Sequence, residues 1–527
     1  MLSLQSSFMK LLIHITACLA IAGGPAIGQE VNQKQALPNI LLILADDLGY
    51  GDVSCYNKKA KVNTPRMDQL AAEGMRFTDA HSPATVCTPT RYSVMTGRMA
   101  FRTGKFGVFT GVGGPCMIEK ERLTLPELLK GQGYHTAMFG KWHIGLSFFD
   151  KDGKRIREGG VEGVRRIDYS RAIPDAPIHH GFDEFFGTAC CPTTDWLYAF
   201  IDGDRIPVPP TKLVERDAYP NNVYTRDFRQ GLIAADFDIA EIDNQFLEKS
   251  LDYLDRHAQR DDGKPFFLLH STQAVHLPSI PAAEYRGKSR AGPHGDFILQ
   301  MDGIVGKLMA KLDEHDLASN TLLILTSDNG PEVPTVVNMR NDHEHDGARP
   351  WRGMKRDQWE GGHRVPLLMR WPEGIMAGSV SKQTVSLTDI MATCAALTEA
   401  KLPNDAAQDS YNILPVLKGI ERNEPIRPYT LQQTWSKHFS IRVGQWKYLD
   451  HQGSGGNNYR RKSQFLEGLE KYIIEDTAPD AAGQLYNLAE DPGETTNLYF
   501  KHPEKVKEMK ALLDQSLASG RSAPLRQ

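Results

Sequence analysis

NILLILADDLGYGD, residues 39–52, begins with a continuous apolar run that ends abruptly in two carboxylates, Asp46 and Asp47. An uninterrupted run of this length is typical of a strand that is buried on both faces, as in a parallel sheet. Ligands of α/β sheets bind at the carboxyl ends of the strands, where these two aspartates are expected to lie. The segment therefore predicts a parallel sheet with a candidate site at its edge.

A helix is predicted directly after this strand, over NTPRMDQLAAEG at residues 63–74. Thr64 is the expected N-cap, Pro65 suits the first helical position, and Gly74 is expected to end the helix. A strand followed by a helix is the first half of a βαβ unit.

Short apolar runs typical of buried strands recur along the chain: YHTAMFG at 134–140, PFFLLH at 265–270, TLLILTSDNG at 321–330 and VPLLMRWP at 365–372. Between the second and third runs, apolar residues recur at helical spacing from Ile298 to Leu312. Strands separated by helices imply βαβ units. We therefore predict an α/β fold in which residues 36–409 form a large mostly parallel sheet flanked by helices.

The pattern of apolar and polar residues changes near residue 410. IRVGQWKYL at 441–449 is interpreted as an exposed antiparallel strand, and the polar loop HQGSGGNNYRRKS at 451–463 follows it. A final helix is expected over about 503–517. These features predict a smaller α+β C-terminal domain, residues 410–527, that carries an antiparallel sheet.

The composition excludes several classes of protein. Of the 527 residues, 40% are hydrophobic and 24% are charged, which is typical of a globular chain. The formal net charge is -4 and no long run of Lys and Arg is present, which disfavours nucleic-acid binding. Any anionic substrate must then be recognised by a few local cations. The seven cysteines lack CxxC pairs and even spacing, which argues against a disulfide scaffold but leaves one or two bridges open.

The first residues have the pattern of an export signal. Lys10 precedes the apolar run LLIHITACLAIAG at 11–23, and small residues follow it up to Gly28. We predict that residues 1–28 are a secretory signal peptide and that the protein is exported, either to the periplasm or into the medium. A retained membrane anchor and a lipid-modified Cys18 are the alternatives. No later segment is long and apolar enough to span a bilayer.

The most informative segment is SPATVCTPTRYSVMTGR at 82–98, in which Cys87, Pro89 and Arg91 form a C-x-P-x-R motif. Pro89 suits the first turn of a helix, which would place Cys87 at the helix N-terminus. The backbone N–H groups there favour an anion, such as a sulfate group or an oxyanion. A buried structural cysteine, a disulfide partner and a thiolate nucleophile are the alternatives for Cys87.

A second candidate feature is a set of oxygen ligands at two strand ends. Asp46 and Asp47 end the first strand, and Asp328 and Asn329 end another, so all four can meet at one edge of a parallel sheet. Oxygen-only ligands suit calcium or magnesium and argue against zinc. Taken alone, either pair is typical of a helix cap or a turn.

The motif around Cys87 resembles the signature of the type I sulfatases, a family that includes arylsulfatases and N-acetylgalactosamine-6-sulfatases within the alkaline-phosphatase-like superfamily. The resemblance implies that a separate formylglycine-generating enzyme oxidises Cys87 to formylglycine (3-oxoalanine). It also implies one calcium ion per chain, held by Asp46, Asp47, Asp328 and Asn329 and in contact with residue 87.

Further segments carry the resemblance. In GKWHIG the family pattern implies that Lys141 binds sulfate and that His143 hydrogen-bonds the formylglycine. His276, in the stretch QAVHLP, matches the second histidine of the family, and Lys355 precedes its W-E-G-G-x-R-V-P run. Arg91 is expected to hold the hydrated formylglycine. The likeness extends from about residue 38 to residue 498 and includes GFDEFFG, QMDGIVGKLMAKL and LYNLAEDPGETTNL.

The resemblance implies a sulfuric ester hydrolase acting on sulfated carbohydrates or aryl sulfates. A phosphomonoesterase or phosphodiesterase of the same superfamily and a non-catalytic extracellular glycan-binding protein are the alternatives. Several segments could line the pocket or form solvated loops: residues 150–177, His179 and His180, residues 190–196, and residues 343–345. The sequence does not identify the sugar or the oligomeric state.

Overall fold

The computed structural model describes residues 36–110, 112, 114–420, 422 and 424–526. The predicted signal peptide over 1–28 and the alternative lipid site at Cys18 lie outside these residues. Across the described part of the chain, no helix combines the length and the apolar character needed to cross a membrane.

The described residues form eighteen strands: β1 (Asn39–Ala45), β2 (Met75–Phe77), β3 (Ala80–His81), β4 (His135–Lys141), β5 (Glu184–Thr188), β6 (Leu197–Tyr198), β7 (Ile201–Asp202), β8 (Lys212–Leu213), β9 (Leu232–Ile233), β10 (Phe266–Ser271), β11 (Thr321–Ser327), β12 (Leu367–Arg370), β13 (Ser379–Ser381), β14 (Val385–Ser386), β15 (Thr430–Gln433), β16 (Phe439–Val443), β17 (Trp446–Leu449) and β18 (Gln484–Asn487). The α-helices of the same residues are α1 (Pro65–Glu73), α2 (Cys87–Thr96), α3 (Leu125–Lys130), α4 (Gly160–Arg165), α5 (Ile242–Ala258), α6 (Gly292–Glu314), α7 (Val333–His343), α8 (Glu360–His363), α9 (Asp389–Leu397), α10 (Leu414–Leu417) and α11 (Pro503–Ala518).

Nine of these strands form one large sheet in the order β13-β2-β12-β11-β1-β10-β4-β5-β7. The central strands from β11 to β5 run parallel, whereas β12 and β7 pair antiparallel with their neighbours. Every residue of β1 is buried, as its apolar run predicts. The prediction of a large, mostly parallel sheet is therefore confirmed.

Helices cover both faces of the large sheet. Side chains alternate along β1, so Ile40 and Leu42 pack into one hydrophobic core with α3 and α9. Leu41 and Ile43 point the opposite way and pack with α1 and α6. The predicted helix after β1 is confirmed, since α1 begins after Thr64 and ends before Gly74.

A second sheet of four antiparallel strands, in the order β15-β16-β17-β18, packs on the C-terminal helix α11. The interpretation of residues 441–449 as one exposed strand is wrong. The segment is part of a hairpin in which Gly444 adopts a left-handed φ of 55° at the turn between β16 and β17. Ile441 and Tyr448 are buried because α11 covers this face of the sheet.

The described residues from Leu37 onward form one compact unit that contains the nine-stranded and the four-stranded sheet. A domain boundary near residue 410 stays a prediction.

Candidate active site

The four predicted oxygen ligands lie at one edge of the large sheet. β1 and β11 are parallel neighbours with Ala45 opposite Ser327, so the residues that follow them are adjacent. The backbone N–H of Asp47 donates to Oδ1 of Asp328 at 3.3 Å, and Nδ2 of Asn329 donates to Oδ1 of Asp47 at 2.7 Å. All of these side chains are buried.

Two buried oxygens of this cluster, Oδ1 of Asp46 and Oδ1 of Asn329, have no hydrogen-bond partner among the described residues. Ligand atoms of Asp46, Cys87 and Asp328 all lie within 4.8 Å of one another. Burial and the neighbouring charge of Asp46 raise the pKa of Asp328 to about 8. Buried polar atoms are normally satisfied, and crowded carboxylates favour a bound cation, so these residues fit a hard divalent ion.

Cys87 begins α2 and is 2% exposed. Val86 before it is extended, no side chain caps the helix start, and the first turn is buried, so the free N–H groups of this turn lie inside the protein. One turn later, Nε of Arg91 donates to Oδ2 of Asp328 at 2.9 Å, and NH1 donates to Oγ of Ser271 at 2.6 Å. Arg91 thus fixes the position of the helix that carries Cys87.

Two buried lysines neutralise the aspartates. Lys141, the last residue of β4, forms an ion pair with Asp46. Nζ of Lys355 lies 2.7 Å from Oδ1 of Asp47 and 3.4 Å from Oε2 of Glu332. Burial opposes the charge of Lys355, but these carboxylates outweigh burial and hold its pKa well above the usual range. Both lysines are therefore charged within the site.

His143 follows β4 in a left-handed conformation, with φ of 55°. Its Nε2 lies 2.7 Å from the carbonyl oxygen of Phe109, which can only accept a hydrogen bond, so Nε2 carries the proton. Burial lowers the pKa of His143, which keeps the ring neutral. Nδ1 is then an acceptor and lies 3.8 Å from Sγ of Cys191.

His276 differs from His143 in its charge. Its Nδ1 donates to the carbonyl oxygen of Leu277, and its Nε2 lies 3.7 Å from Oδ2 of Asp47. Burial alone would lower the pKa of His276, but the nearby Cys191 and the carboxylates Asp47 and Asp46 raise it to about 10. The ring is therefore protonated at neutral pH, with one N–H facing the site.

Cys191 was not identified as a site residue by the sequence analysis, which gave residues 190–196 only as a possible pocket loop. It follows β5, and its Sγ lies 3.8 Å from Nδ1 of His143 and 3.8 Å from Nε2 of His276. Burial raises the pKa of Cys191, but its contacts with Cys87, Lys141 and His276 outweigh burial and lower it. The only sequence signal for this position was the pair of adjacent cysteines after GFDEFFG.

Other pocket candidates have structural contacts elsewhere. His180 stacks on Trp142 with a ring separation of 6.1 Å. His345 is buried and lies 2.8 Å from Oδ1 of Asp52. These contacts explain both histidines without a role at the carboxylate cluster.

The predicted catalytic and metal-binding residues are connected by a continuous set of contacts, although their sequence positions range from 46 to 355. A buried cluster of carboxylates and cations at the edge of an α/β sheet is suited to binding a tetrahedral oxyanion beside a cation. The chain belongs to the sulfatase family, whose family model matches residues 38–400, and it is a sulfuric ester hydrolase. The predicted family is confirmed.

Curated relatives match most of the chain. An N-acetylgalactosamine-6-O-sulfatase of Bacteroides thetaiotaomicron is 31% identical, with 93% of this chain and 94% of the relative covered. Human arylsulfatase A is 30% identical, with 96% of this chain and 93% of the relative covered.

Solved structures share the fold. A structure from a study of glycosaminoglycan metabolism by Bacteroides thetaiotaomicron has a TM-score of 0.75 and is 29% identical, covering 91% of this chain and 99% of its own. A Pseudoalteromonas sulfatase has a TM-score of 0.67 and is 26% identical, covering 93% and 92%. The predicted alkaline-phosphatase-like fold is confirmed.

Proposed function

We propose that this chain removes sulfate from sulfated carbohydrates, with a formylglycine made from Cys87 and one calcium ion in the site. The observation that carries the proposal is the convergence of the α2 N-terminus, a buried carboxylate cluster and several buried cations around residue 87. The relatives named as N-acetylgalactosamine-6-sulfatases support a sulfated amino sugar as the substrate class.

The ligand atoms of the carboxylate cluster support calcium. Asp46, Asp47, Asp328 and Asn329 supply only oxygen atoms, two of which lack a partner in the described structure. When bound, the cation would supply positive charge beside the sulfate oxygens, and the hydrated aldehyde at residue 87 would supply the attacking hydroxyl.

The balance of charge supports an anionic substrate. Lys141, Lys355, Arg91 and protonated His276 contribute four positive charges, and Asp46, Asp47, Asp328 and Glu332 contribute four negative charges. A divalent ion would make the site clearly positive, which suits a sulfate monoester. Each lysine ammonium has three donors, so Lys141 and Lys355 can bind an aspartate and a sulfate oxygen together.

The two histidines are suited to different tasks. His276 presents an N–H to the site and would protonate the leaving oxygen, a general-acid contribution of about 10²–10⁴-fold. His143 is neutral and presents an acceptor nitrogen, so it would hold a hydroxyl hydrogen of residue 87. Arg91 would fix the orientation of that residue through Asp328.

Two further steps belong to the proposal. A formylglycine-generating enzyme would be the maturation partner, and residues 1–28 would direct export to the periplasm or the medium.

The first experiment is mass spectrometry of the tryptic peptide 77–91 from protein co-expressed with a formylglycine-generating enzyme. A loss of about 18 Da relative to cysteine, together with sulfate release from a 6-sulfated amino sugar, is the expected result. The variant Cys87→Ala should be inactive, whereas Cys55→Ser, a half-buried cysteine outside the site, should retain activity. Turnover by protein with unmodified Cys87, or a preference for the matched phosphate ester, would reject the proposal.

A further inference from the structure

A surface groove lies between the segment 340–354 and the C-terminal loop 452–476. It consists of one cavity of about 800 Å³ and another of about 460 Å³. The two cavities are parts of one groove because they share five lining residues: Arg352, Tyr459, Tyr472, Ile473 and Ile474. The described residues that line it include none of the carboxylate cluster or of the cations around it. Cavities of this size are typical of ligand sites.

The end of the groove beside α7 is positively charged. Its charged side chains are Arg340, Arg349, Arg352, Lys471, Glu344 and Asp346. Both acids have cationic partners, since Glu344 lies 3.0 Å from Lys61 and Asp346 lies 3.0 Å from Arg340. Arg349 is 44% exposed and approaches Asp346 only to 3.9 Å. Lys471 is exposed and has no ion-pair partner among the described residues. Two cations are therefore available to an anion.

The middle of the groove is aromatic and apolar. The hydroxyl group of Tyr472 donates to Oδ1 of Asn341 at 3.2 Å, and that of Tyr459 donates to Oδ2 of Asp357 at 2.6 Å. These hydrogen bonds fix both rings, so a ligand that packs on them loses little affinity to the ordering of side chains. Ile474 between the two cavities is 39% exposed. Such a surface suits the apolar C–H face of a sugar ring.

The far end of the groove carries neutral polar groups. Gln452 and Asn458 are exposed there, and Asn457 lies beside them. Side-chain amides both donate and accept hydrogen bonds, as sugar hydroxyl groups do. The exposed Arg460 at this end is paired with Glu475 at 2.8 Å, so it adds no free charge.

We propose that this groove is a second, non-catalytic binding site for a sulfated oligosaccharide. A sulfate group would lie against Arg349 and Lys471, a sugar ring against Tyr472, and hydroxyl groups of the next unit against the amides. The inference rests on the proposed function only for the class of carbohydrate. A chain held in the groove would stay close to the enzyme between turnovers, which raises the effective concentration of its other sulfate esters.

The binding test uses the full chain carrying Cys87→Ala, so that the ligand is not consumed. The probe is a tetrasaccharide whose N-acetylgalactosamine units carry 6-sulfate, followed by isothermal titration calorimetry. Adding Arg349→Glu and Lys471→Glu should weaken one of two binding events by about tenfold. The matched control adds Arg165→Glu and Lys510→Glu, which change the net charge equally at side chains that are 51% and 47% exposed. This control should bind as the parent does.

A second measurement needs no variant of the groove. The tetrasaccharide should protect Lys471 from acetylation, detected by peptide mass spectrometry, and should leave Lys510 unprotected. An unprotected Lys471, equal losses in the groove and control variants, or equal binding of the unsulfated tetrasaccharide would overturn the proposal.

Sulfate release from a 6-sulfated monosaccharide separates this proposal from the catalytic one. With a matured residue 87, the variant carrying Arg349→Glu and Lys471→Glu should release sulfate as fast as the wild type, because neither residue belongs to the catalytic site. A wild type that released no sulfate would reject the proposed function, whereas the binding and protection results would still decide the role of the groove.

Discussion

Nε of Arg91 donates to Oδ2 of Asp328 at 2.9 Å, so the helix that begins at Cys87 is tied to the carboxylate at the end of β11. Both side chains are fully enclosed by the protein. The same guanidinium also donates to Oγ of Ser271 and to the carbonyl oxygen of Lys141. One residue therefore joins α2 to three strands of the large sheet.

Replacing Arg91 with alanine should lower the free energy of unfolding by about 3–5 kcal/mol. The reason is that the carboxylate of Asp328 then stays buried without the guanidinium that compensates its charge. Urea denaturation measures this change. The control is Arg165→Ala, since Arg165 is about half exposed and pairs with the exposed Glu162, so its loss should cost only about 0–1 kcal/mol. Equal losses in the two variants would contradict the role given to Arg91.

Removing divalent metal should abolish activity and lower thermal stability, since Asp46 and Asp328 then repel each other within the protein. Calcium at about 100 times its dissociation constant should restore about 2.7 kcal/mol of stability. Differential scanning calorimetry with a chelator, then with added calcium or magnesium, measures the effect. The variant Asp328→Asn should lose the calcium response.

A suitable control for the metal experiment is Asp255→Asn. Asp255 lies in another acidic cluster, with Glu314 and His315, that is open to solvent. The calcium response of this variant should match that of the wild type. A melting temperature that is insensitive to calcium in protein verified to be metal-free would argue against a calcium site at Asp328.

His276→Gln should lower kcat/KM by about 10²–10⁴-fold for a sulfated sugar, whose alcohol leaving group needs a proton. The loss should be much smaller for an aryl sulfate with an acidic phenol, because that leaving group departs without protonation. Activity that depends on protonated His276 is present below its pKa and falls as pH rises through it.

Steady-state kinetics on both substrates tests this role for His276. His180→Gln is the control, because His180 stacks on Trp142 and should affect both substrates alike. A uniform loss for the sugar and the aryl sulfate in His276→Gln would indicate that the histidine only positions its neighbours.

Much of the fold could be predicted because its signals are local. The apolar run of β1 fixes a buried strand, and the polar residues that follow β1 and β11 must share an edge once these strands are parallel. The motif around Cys87 likewise contains its own helix start. Each of these features can be predicted from residues that are neighbours in the sequence.

The remaining features depend on contacts between distant segments. Nothing local distinguishes Cys191 from Cys190, and only the path of the loop after β5 decides which thiol reaches His143 and His276. The burial of β16 and β17 depends in the same way on α11, which lies more than fifty residues further along the chain. Periodicity alone cannot supply such long-range packing.

A buried ion cluster joins the four-stranded sheet to the segment that follows Lys355, and it gives the last prediction. Lys447 of β17 lies 2.9 Å from Oε1 of Glu360 and 2.9 Å from Oε1 of Glu494, and all three side chains are buried. Lys447→Met should lower the free energy of unfolding by about 3–5 kcal/mol, because the buried Glu494 loses Lys447 as its partner, whereas Glu360 keeps Arg364.

The matched control is Lys510→Met, since Lys510 is about half exposed and pairs only with exposed or partly exposed aspartates. Denaturant unfolding of both variants measures the difference. Because Glu360 and Glu494 would favour protonation once Lys447 is gone, the deficit of Lys447→Met should shrink as pH falls. If the loss of unfolding free energy in Lys447→Met does not change with pH, the variant is destabilised by lost packing of the lysine methylene groups rather than by uncompensated charge.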